Sequence, residues 1–452
     1  MNRKSVITKI SRRIEQKNLV FFGTRGDDIA ALRDLPELHA AYSFISAYDQ
    51  QSRVSGCAIE DISGIRVDLD AYDIDLDADT HSLREFRARL LAELASPSVV
   101  FTYRPSRFLS SICFSRSASC DYLGMFKDHQ WAFEHKPWVE ESVSRLGIPR
   151  VEWRFVADED RHFVRPMLDK GPIVLRRSHS SGGRGLALAR DEDELERNWP
   201  NEQEAFVSVA PYLESAIPVN VGAVIWDRSV TVHYPSVQLI GIPELTSIPF
   251  GFCGSDFAAA LRLSSGTIDE IEHSTRRIGA WMQDHGYRGA FGVDFLVKND
   301  RALFMEVNPR FQGSTNLSCA ISNEMSESCL MTDHLAALLH LAPPTEPDPL
   351  NERMRRCPPM AQLVQHLSPP SRSAVSGYTY TAAMMQTPGF VQGDVLASER
   401  QFVQGGATVA RITFSKEVTE SGYALHPEIT SVVRVAQQNL HRENGAVSNG
   451  RT

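Results

Sequence analysis

The sequence predicts an α/β region at the N-terminus, an α+β region after it and a smaller α+β region at the C-terminus. The first prediction comes from strands that alternate with helices before residue 130, a pattern typical of a mostly parallel sheet. The other two come from the hairpin-rich pattern that follows and from a Pro-rich stretch near residue 350. At 452 residues the chain is too long for one compact core, which favours about two to four domains.

Two apolar segments define the N-terminal region. NLVFFGTRGDD, residues 18–28, predicts a strand that runs into a turn, and SVVFTYRP, residues 98–105, predicts another strand. Between them, DTHSLREFRARLLAELASP predicts an amphipathic helix capped by Asp79 or Thr80. The GTRG turn is too short for a dinucleotide-binding fingerprint, so we expect no dinucleotide there.

Residues 67–80, VDLDAYDIDLDADT, alternate Asp with apolar side chains. A period of two predicts a strand with one solvated face. A calcium-binding loop is the alternative, but the stretch lacks the Gly and the terminal Glu of an EF-hand. We therefore predict a solvated edge strand.

Composition and charge exclude several classes of function. A net charge of −9 and a pI near 5.9 argue against general nucleic-acid binding. No apolar run approaches the roughly 18 residues of a membrane span, and the basic N-terminus lacks the apolar core of a signal peptide. Seven scattered cysteines form no CxxC pair, which favours a reducing, cytoplasmic compartment and small buried thiols.

The region after residue 130 predicts helices and hairpins. KPWVEESVSRLGIPRVEWRFV predicts a helix, a Gly-Ile-Pro stop and a strand, and GPIVLRRSHSSGGRGLALARDEDEL predicts two strands joined by a Gly-rich loop. IPVNVGAVIWDRSVTVHYPSVQLI predicts a hairpin that turns at Asp227-Arg228. TIDEIEHSTRRIGAWMQDHGY predicts a helix that ends near Gly286.

These changes of pattern predict the domain boundaries. Residues 1–129 form the first domain, 130–341 the second, 342–360 a Pro-rich linker, and 361–452 a C-terminal region. The C-terminal region contains the strand-like SGYTYTAAMM and GATVARITF, and we expect its final segment, ENGAVSNGRT, to be disordered.

The segment GAFGVDFLVKNDRALFMEVNPRFQGST, residues 289–315, carries the strongest functional signal. It predicts two strands around a turn, each with a carboxylate where a buried strand normally has Val or Ile. A three-residue loop at 299–301 places Asp294 directly opposite Glu306, with Cβ atoms about 4.5–5.5 Å apart, whereas a two-residue loop shifts the pairing by one. Glu306 and Asn308 share a face because strand side chains alternate.

Two buried carboxylates so placed repel each other, and a divalent cation removes the conflict. Carboxylates and an amide oxygen are hard ligands that suit Mg²⁺, which proteins hold together with substrate phosphates. Asp294, Glu306 and Asn308 therefore predict a nucleotide site, and a structural network with arginines is the alternative. Pro309 ends the strand pairing and lets Arg310 aim its guanidinium at the phosphates.

A flexible loop, SHSSGGRG at residues 178–185, can cradle those phosphates. Its glycines, among them Gly182 and Gly183, let backbone N–H groups approach an anion. The loop is not a Walker A motif, because it lacks the Gly-Lys-Ser/Thr ending, and a plain glycine hairpin is the alternative.

Two cations precede or flank this loop. Arg176 ends the strand before it, and its neighbour Arg177 should face the other way. Lys136 opens the helix before Gly147, where a solvated surface lysine is the alternative.

A linking strand, AFVSVAPYLE at residues 205–214, turns at Pro211. Its amides can bind adenine, with Tyr212 or Leu213 against the ring, and ordinary core packing is the alternative.

Taken together, these pieces resemble the ATP-grasp superfamily over residues 130–335, most specifically in GVDFLVKNDRALFMEVNPR. The region before them resembles the Rossmann-like preATP-grasp domain that normally comes first. The resemblance implies a two-lobed ATP-grasp domain. Length and the flanking regions look closest to peptide ligases of specialised metabolism, such as the pheganomycin peptide ligase, and so suggest antibiotic biosynthesis.

The resemblance also implies roles for individual residues. Asp294, Glu306 and Asn308 match the ligands of one or two Mg²⁺ ions, with Mn²⁺ as an alternative, and Arg310 matches the catalytic arginine at the γ-phosphate. Lys136 matches the first phosphate-binding lysine, and Arg176 stands where the second is usually a lysine. The remaining ATP-binding candidates are Ser180, Ser181, Gly182, Gly183, Val209, Tyr212 and Leu213, with Glu214 or Asn220 at the ribose.

The reaction implied is ADP-forming ligation of a carboxylate to an amine through an acyl phosphate. We expect an amino acid or a small peptide as substrate. Arg262, Arg288 and Arg310 are candidates to hold its carboxylate, although an ordinary surface arginine is the commoner case for the first two. A ligase that charges an acyl-carrier protein, a non-catalytic nucleotide-binding protein and a phosphotransferase are the alternatives. The C-terminal region is expected to cap the site or to form a homodimer contact.

Overall fold

The structure, a computed structural model, describes most of the chain. The described residues are 3–46, 54–69, 74–75, 81–178, 182–200, 204–343, 348–367, 373–375, 387–395 and 401–435. They form four sheets, of five, four, eight and three strands. Among them, no helix is both long enough and apolar enough to cross a membrane.

The N-terminal region is a parallel sheet flanked by helices, in the strand order β3-β2-β1-β5-β6. Its elements are α1 (Arg3–Ile14), β1 (Asn18–Arg25), a 3-10 helix (Gly26–Leu32), β2 (Leu38–Ile45), β3 (Ser55–Ala58), α2 (Ile59–Ser63), β4 (Ile65–Arg66), α3 (His81–Glu93), β5 (Ser98–Thr102), α4 (Arg107–Ser115), β6 (Cys120–Leu123) and α5 (Lys127–Ala132). The strands predicted from NLVFFGTRGDD and SVVFTYRP are confirmed as β1 and β5. Both are almost continuously apolar because helices cover both faces of the sheet.

The edge strand predicted over residues 67–80 is wrong where the structure describes it, because 67–69 and 74–75 include no strand residue. The rest of that stretch lies outside the described residues. Asp75 accepts hydrogen bonds from the backbone N–H groups of Arg107 and Phe108, at 2.9 and 3.0 Å, and pairs with Lys127 Nζ at 2.7 Å. This carboxylate therefore anchors the start of α4 instead of lying on a wet strand face.

The smaller lobe of the middle region is a four-stranded antiparallel sheet in the order β7-β10-β8-β9. Its elements are α6 (Lys136–Arg145), β7 (Arg154–Val156), a 3-10 helix (Asp158–Val164), α7 (Arg165–Leu168), β8 (Ile173–Arg177), β9 (Leu186–Ala189), α8 (Glu192–Asn198) and β10 (Val207–Pro211). The predicted Gly-rich loop joins β8 to β9.

The larger lobe is built on the eight-stranded antiparallel sheet β15-β14-β11-β12-β13-β16-β20-β18. The elements of this part are β11 (Ile217–Ile225), β12 (Val230–Ile240), β13 (Phe252–Asp256), α9 (Phe257–Ala260), α10 (Ser265–Asp284), β14 (Gly289–Lys298), β15 (Arg301–Asn308), α11 (Thr315–Glu324), α12 (Leu330–Leu338), α13 (Leu350–Met354), β16 (Ala361–His366), β17 (Ser373–Val375), β18 (Phe390–Val395), β19 (Gln401–Val403) and β20 (Thr408–Phe414). The predicted hairpin at Asp227-Arg228 is β11-β12.

Helix α10 fixes the large sheet from one side. Its buried residues Ile268, Ile271, Ile278 and Met282 recur at helical spacing and pack on the sheet. Ser264 caps its first turn by accepting a hydrogen bond from the backbone N–H of Thr267. The helix thus forms the rigid support on which strands β11 to β15 rest.

Strands of the predicted C-terminal region continue the large sheet. β16 pairs with β13 on one side and with β20 on the other. The predicted linker contains α13, where the backbone N–H of Leu350 donates to Glu272 of α10 at 2.9 Å. β20 consequently lies within the same sheet as the Asp294 hairpin and can take part in one cavity with it.

Candidate active site

The β14-β15 hairpin pairs Asp294 with Glu306 through a combination of turn and bulge that the sequence did not reveal. The turn has two residues, Asn299 and Asp300, with φ of 51° and 58°, as a type I′ turn requires. Lys298 to Phe295 therefore pair with Arg301 to Phe304 in the shifted register. A bulge at Met305 then adds one residue, and Asp294 pairs with Glu306 after all.

Asp294, Glu306 and Asn308 converge on one face of this hairpin. Asn308 Nδ2 donates to Asp294 Oδ2 at 2.9 Å, and Gln238 and Gln312 donate their side-chain N–H groups to Asp294 Oδ1 at 3.0 and 2.8 Å. Burial, reinforced by the Glu306 carboxylate, raises the pKa of Asp294 to about 7. The pair is therefore electrostatically unfavourable when both carboxylates are ionised.

The chemistry of this donor set fits a hard divalent cation such as Mg²⁺ or Mn²⁺. Two opposed carboxylates and one amide supply oxygen ligands, and positive charge there relieves the repulsion that raises the Asp294 pKa. In the part of the chain that the structure describes, no group of three or more His, Cys, Asp or Glu residues forms a closed cage. An open set suits an ion that completes its shell with phosphate oxygens and water.

Arg176 faces this set from β8, across the lobes. Its side chain is 2% exposed, and its Nη1 lies 3.6 Å from Glu306 Oε2 while its Nη2 lies 3.7 Å from Glu140 Oε1. The guanidinium stacks on the Trp153 ring, 3.9 Å from the centroid, and none of its three nitrogens has a hydrogen-bond partner among the described residues. Burial lowers its pKa and raises the pKa of Glu140 to about 7.

Lys136 lies beside Arg176 at the start of α6. Its Nζ donates to the backbone carbonyl of Ser178 at 3.1 Å, and burial lowers its pKa. Ser178 in turn donates its backbone N–H to Glu204 at 3.0 Å, and its hydroxyl also contacts that carboxylate. Lys136 is therefore hydrogen-bonded to the first residue of the Gly-rich loop and is not a solvated surface lysine.

The Gly-rich loop rests on the segment at residues 240–256. Gly183 has a φ of +78°, and a Cβ on it would lie 1.8 Å from the Phe250 carbonyl oxygen, so only glycine fits this close approach. Gly182 accepts a hydrogen bond from the Phe252 N–H at 3.4 Å. Ser180 and Ser181 lie outside the described residues.

Residues of the linking strand lie partly in the core of the small lobe and partly at the cavity. Val209 is fully buried in the core of the small lobe, whereas Tyr212 and Leu213 line the cavity. Glu214 is exposed and outside the cavity lining. Asn220 pairs with Asp294 across β11 and β14, and its Nδ2 donates to Ser314 Oγ at 2.9 Å.

The arginines expected to hold a substrate carboxylate occupy different places. Arg310 lines the cavity, where its Nε lies 4.0 Å from Glu134 Oε1. Arg262 pairs with Glu417 and Arg288 with Asp227, and neither lines the cavity. Arg262 and Arg288 therefore serve contacts between surface elements, which is the commoner case expected for both.

One cavity of about 880 Å³ connects the candidate groups of the two lobes. Its lining includes Asp294, Glu306 and Asn308 from the large lobe and Lys136 and Arg176 from the small-lobe side. The sequence reasoning missed further lining residues in the N- and C-terminal regions, chiefly Arg25, Asp28, Arg104 and Arg411. No sequence signal links them, since positions 25 and 411 are far apart in the chain.

Two antiparallel lobes that enclose a cavity, after a parallel α/β domain, define the ATP-grasp class of folds. Biotin carboxylase of Campylobacter jejuni, solved with β-γ-ATP, is similar with a TM-score of 0.61 and 16% identity, over 91% of this chain and 90% of that one. N5-carboxyaminoimidazole synthase of Aspergillus clavatus, solved with ADP and 5-aminoimidazole ribonucleotide, gives 0.60 and 13%, over 93% and 99%. Identity this low establishes the shared fold alone.

Sequence comparison gives the family of the domain. Residues 159–314 match the ATP-grasp domain family. The formate-dependent phosphoribosylglycinamide formyltransferase of Parabacteroides distasonis is 25% identical over 208 residues, which are 45% of this chain and 49% of that protein. The chain spans about half the length of the curated relatives it matches. Residues 159–314 are therefore similar to an ATP-grasp domain, and the chain is similar to these relatives over about half of their length.

Proposed function

We propose that this protein is an ATP-dependent carboxylate–amine ligase that forms an amide or peptide bond through an acyl phosphate. The observation that carries the proposal is the convergence of Asp294, Glu306 and Asn308, opposite Arg176, in one cavity. ATP would occupy this cavity with Mg²⁺ or Mn²⁺ at the carboxylates.

The proposed reaction has two steps. An oxygen of the substrate carboxylate attacks the γ-phosphorus of ATP, the bond to the β–γ bridging oxygen breaks, and ADP leaves. The amine nitrogen then attacks the acyl carbon and loses a proton, and inorganic phosphate leaves with the electron pair of the acyl C–O bond. The products are an amide, ADP and phosphate.

The metal ion, when bound, neutralises phosphate charge and orients the γ-phosphoryl group. Asp294, Glu306 and Asn308 would hold it. Arg310 and Arg176 supply guanidinium groups for phosphate oxygens, and Lys136 adds a buried cation near the Gly-rich loop. Contact between Gly182–Gly183 and residues 250–252 gives the cavity a cover that keeps water from the acyl phosphate.

An amino acid or a small peptide is the proposed substrate, in specialised metabolism. The similar phosphoribosylglycinamide formyltransferase depends on formate, a small carboxylate, which supports a carboxylate substrate for this protein. Transfer to an acyl-carrier protein is the second candidate from the resemblance, and product analysis separates the two.

Hydroxylamine trapping tests the proposal without knowledge of the natural amine. Purified protein is incubated with ATP, Mg²⁺, hydroxylamine and pools of amino acids, peptides, formate or bicarbonate. We expect ADP release that depends on one pool, together with a hydroxamate or an equivalent adduct identified by mass spectrometry. Glu306→Gln is the matched control and should abolish both signals.

Two results would contradict the proposal. One is ADP release with a stable phosphorylated product and no amide, which would indicate a phosphotransferase. The other is tight binding of a non-hydrolysable ATP analogue without turnover in any pool, which would indicate a nucleotide-binding protein that does not catalyse ligation.

A further inference from the structure

Three neighbours fix the orientation of the Arg176 guanidinium beside the cavity. Its Cζ lies 3.9 Å from the centroid of the Trp153 ring. Its Nη1 lies 3.6 Å from Glu306 Oε2, and its Nη2 lies 3.7 Å from Glu140 Oε1. Among the described residues, these two carboxylates are the ones within ion-pair distance of Arg176. A planar cation with a ring against its face and a carboxylate at each end has a defined orientation.

This arrangement leaves N–H donors of Arg176 for a ligand. All three guanidinium nitrogens are buried, and none has a hydrogen-bond partner among the described residues. Buried donors without partners are unfavourable, so anionic oxygens that reach them gain strong, charge-assisted hydrogen bonds. Arg176 lines the cavity together with Lys136 and Glu306. The phosphates of ATP, placed in this cavity by the proposed function, would supply such oxygens.

Glu140 is a carboxylate on the buried face of helix α6. The buried residues of this helix are Val139, Glu140 and Val143. Glu140 is 4% exposed, and its Oε2 has no hydrogen-bond partner among the described residues. Replacement of a buried ion pair by apolar side chains is often neutral or stabilising. Folding by itself therefore gives no reason for a carboxylate at this position.

Helix α6 presents Glu140 and Lys136 to the same strand. The two residues are four positions apart, so they lie on one face of the helix. Lys136 Nζ donates to the carbonyl of Ser178, just after β8, and Glu140 lies beside Arg176 within β8. Without the Glu140 carboxylate, the attraction of Arg176 towards Glu306 would be unopposed.

We propose that Glu140 is a positioning residue for the phosphate chain of ATP. It holds the Arg176 guanidinium on Trp153, away from closer pairing with Glu306, so that Arg176 donates to phosphate oxygens and Glu306 stays available to a cation. Glu140 contacts no substrate atom and acts through Arg176. The inference rests on the proposed function, because it assigns the phosphates of ATP to this end of the cavity.

Isothermal titration of the full-length protein with a non-hydrolysable ATP analogue and Mg²⁺ tests this inference without turnover. The buffer is held at about pH 8, above the raised pKa of Glu140, so that the carboxylate is ionised. Glu140→Gln should weaken binding by about tenfold, because Arg176 moves towards Glu306 and loses charge-assisted hydrogen bonds to the phosphates. Glu141→Gln, at the next residue of the helix, is the matched control. Glu141 is exposed and paired with Arg145, and affinity should not change.

A double-mutant cycle separates positioning from a structural role. A lysine at position 176 is a point charge with rotatable donors, so it has no planar orientation for Glu140 to fix. Added to Arg176→Lys, Glu140→Gln should therefore change the affinity by less than about twofold. Urea unfolding of the same proteins measures stability separately. Glu140→Met, with an apolar side chain of similar length, is the second variant in case Glu140→Gln is poorly folded.

The inference would be overturned if Glu140→Gln and Glu140→Met bound the analogue as tightly as the Glu141→Gln control. Equal weakening by Glu140→Gln with and without Arg176→Lys would also overturn it. Failure of the proposed function looks different. It would appear as absent hydroxylamine trapping and absent ADP release while the binding cycle gives the expected coupling. Absent binding of the analogue by the wild type would overturn both.

Discussion

Two aspartates of the eight-stranded sheet, Asp256 and Asp294, show how the same residue serves folding in one place and chemistry in another. Asp256 is fully buried, and its oxygens accept hydrogen bonds from the backbone N–H groups of Ala259, Val418 and Thr419, at 2.7, 2.7 and 3.2 Å. Asp294 lines the cavity, accepts side-chain amides and lies opposite Glu306.

Burial raises the pKa of both carboxyl groups, to about 6 for Asp256 and about 7 for Asp294. After burial, the largest influence on the pKa acts in opposite directions at the two sites. Backbone N–H groups lower the pKa of Asp256, whereas the Glu306 carboxylate raises that of Asp294 further. A buried carboxylate that accepts hydrogen bonds from the backbone stabilises the fold. A buried carboxylate that lies opposite another carboxylate favours binding of a cation that arrives with the substrate.

The largest expected effect is on catalysis. Asp294→Asn should lower ADP release by about a thousandfold, equivalent to about 4 kcal/mol, because a metal ligand is lost. Its free energy of unfolding should stay the same or rise, since the repulsion with Glu306 is removed. ADP release and urea unfolding measure the two quantities. A variant that unfolds more easily but keeps its turnover would show that Asp294 stabilises the fold and does not serve catalysis.

Asp256→Asn should show the opposite pattern. The amide cannot accept at both oxygen positions, so at least one backbone N–H group loses its partner, and the free energy of unfolding should fall by about 2–3 kcal/mol. Turnover per folded molecule should be retained. If turnover fell while urea unfolding was unchanged, Asp256 would belong with Asp294 as a functional carboxylate.

The neighbouring arginines Arg176 and Arg177 extend the comparison to cations. Arg176→Lys keeps the charge but loses the stack on Trp153 and the reach to both Glu140 and Glu306, so the KM for ATP should rise about tenfold. Arg177→Lys, at a cavity-lining position that is 39% exposed, is the comparison variant and should raise the KM much less. Equal effects of the two substitutions would show that charge matters and geometry does not.

The remaining expected effect is on the pH dependence of stability. Because the folded-state pKa of Asp294 is raised from 3.8 to about 7, its contribution to stability is present below pH 4 and is lost as pH rises towards 7. Thermal unfolding without ligand should therefore show a flatter pH profile for Asp294→Asn than for the wild type. Stabilisation by Mg²⁺ and an ATP analogue should grow over the same range in the wild type, and a profile unchanged by Asp294→Asn would contradict the assignment.

Local patterns were sufficient for much of the fold and for part of the site. The strands at residues 18–25 and 98–102, the β11-β12 hairpin and helix α10 follow from apolar periodicity and turn residues. Asp294 pairs with Glu306 although the turn is the two-residue alternative, because a type I′ turn and a bulge at Met305 together give the register expected of the three-residue loop. The strand prediction over residues 67–80 fails at Asp75, because this carboxylate accepts hydrogen bonds from backbone N–H groups of α4. Period-two alternation does not reveal such a contact.

The sequence by itself determined which side chains share a strand face, and so it determined the set Asp294, Glu306 and Asn308 and its preference for a hard cation. Only the tertiary structure decided what faces that set. Arg176 stacks on Trp153, and Arg25, Arg104 and Arg411 line the same cavity from distant parts of the chain. The physical reason is the distance along the chain over which each effect acts. Alternation and turn geometry act over a few residues, whereas packing between segments hundreds of residues apart closes the cavity.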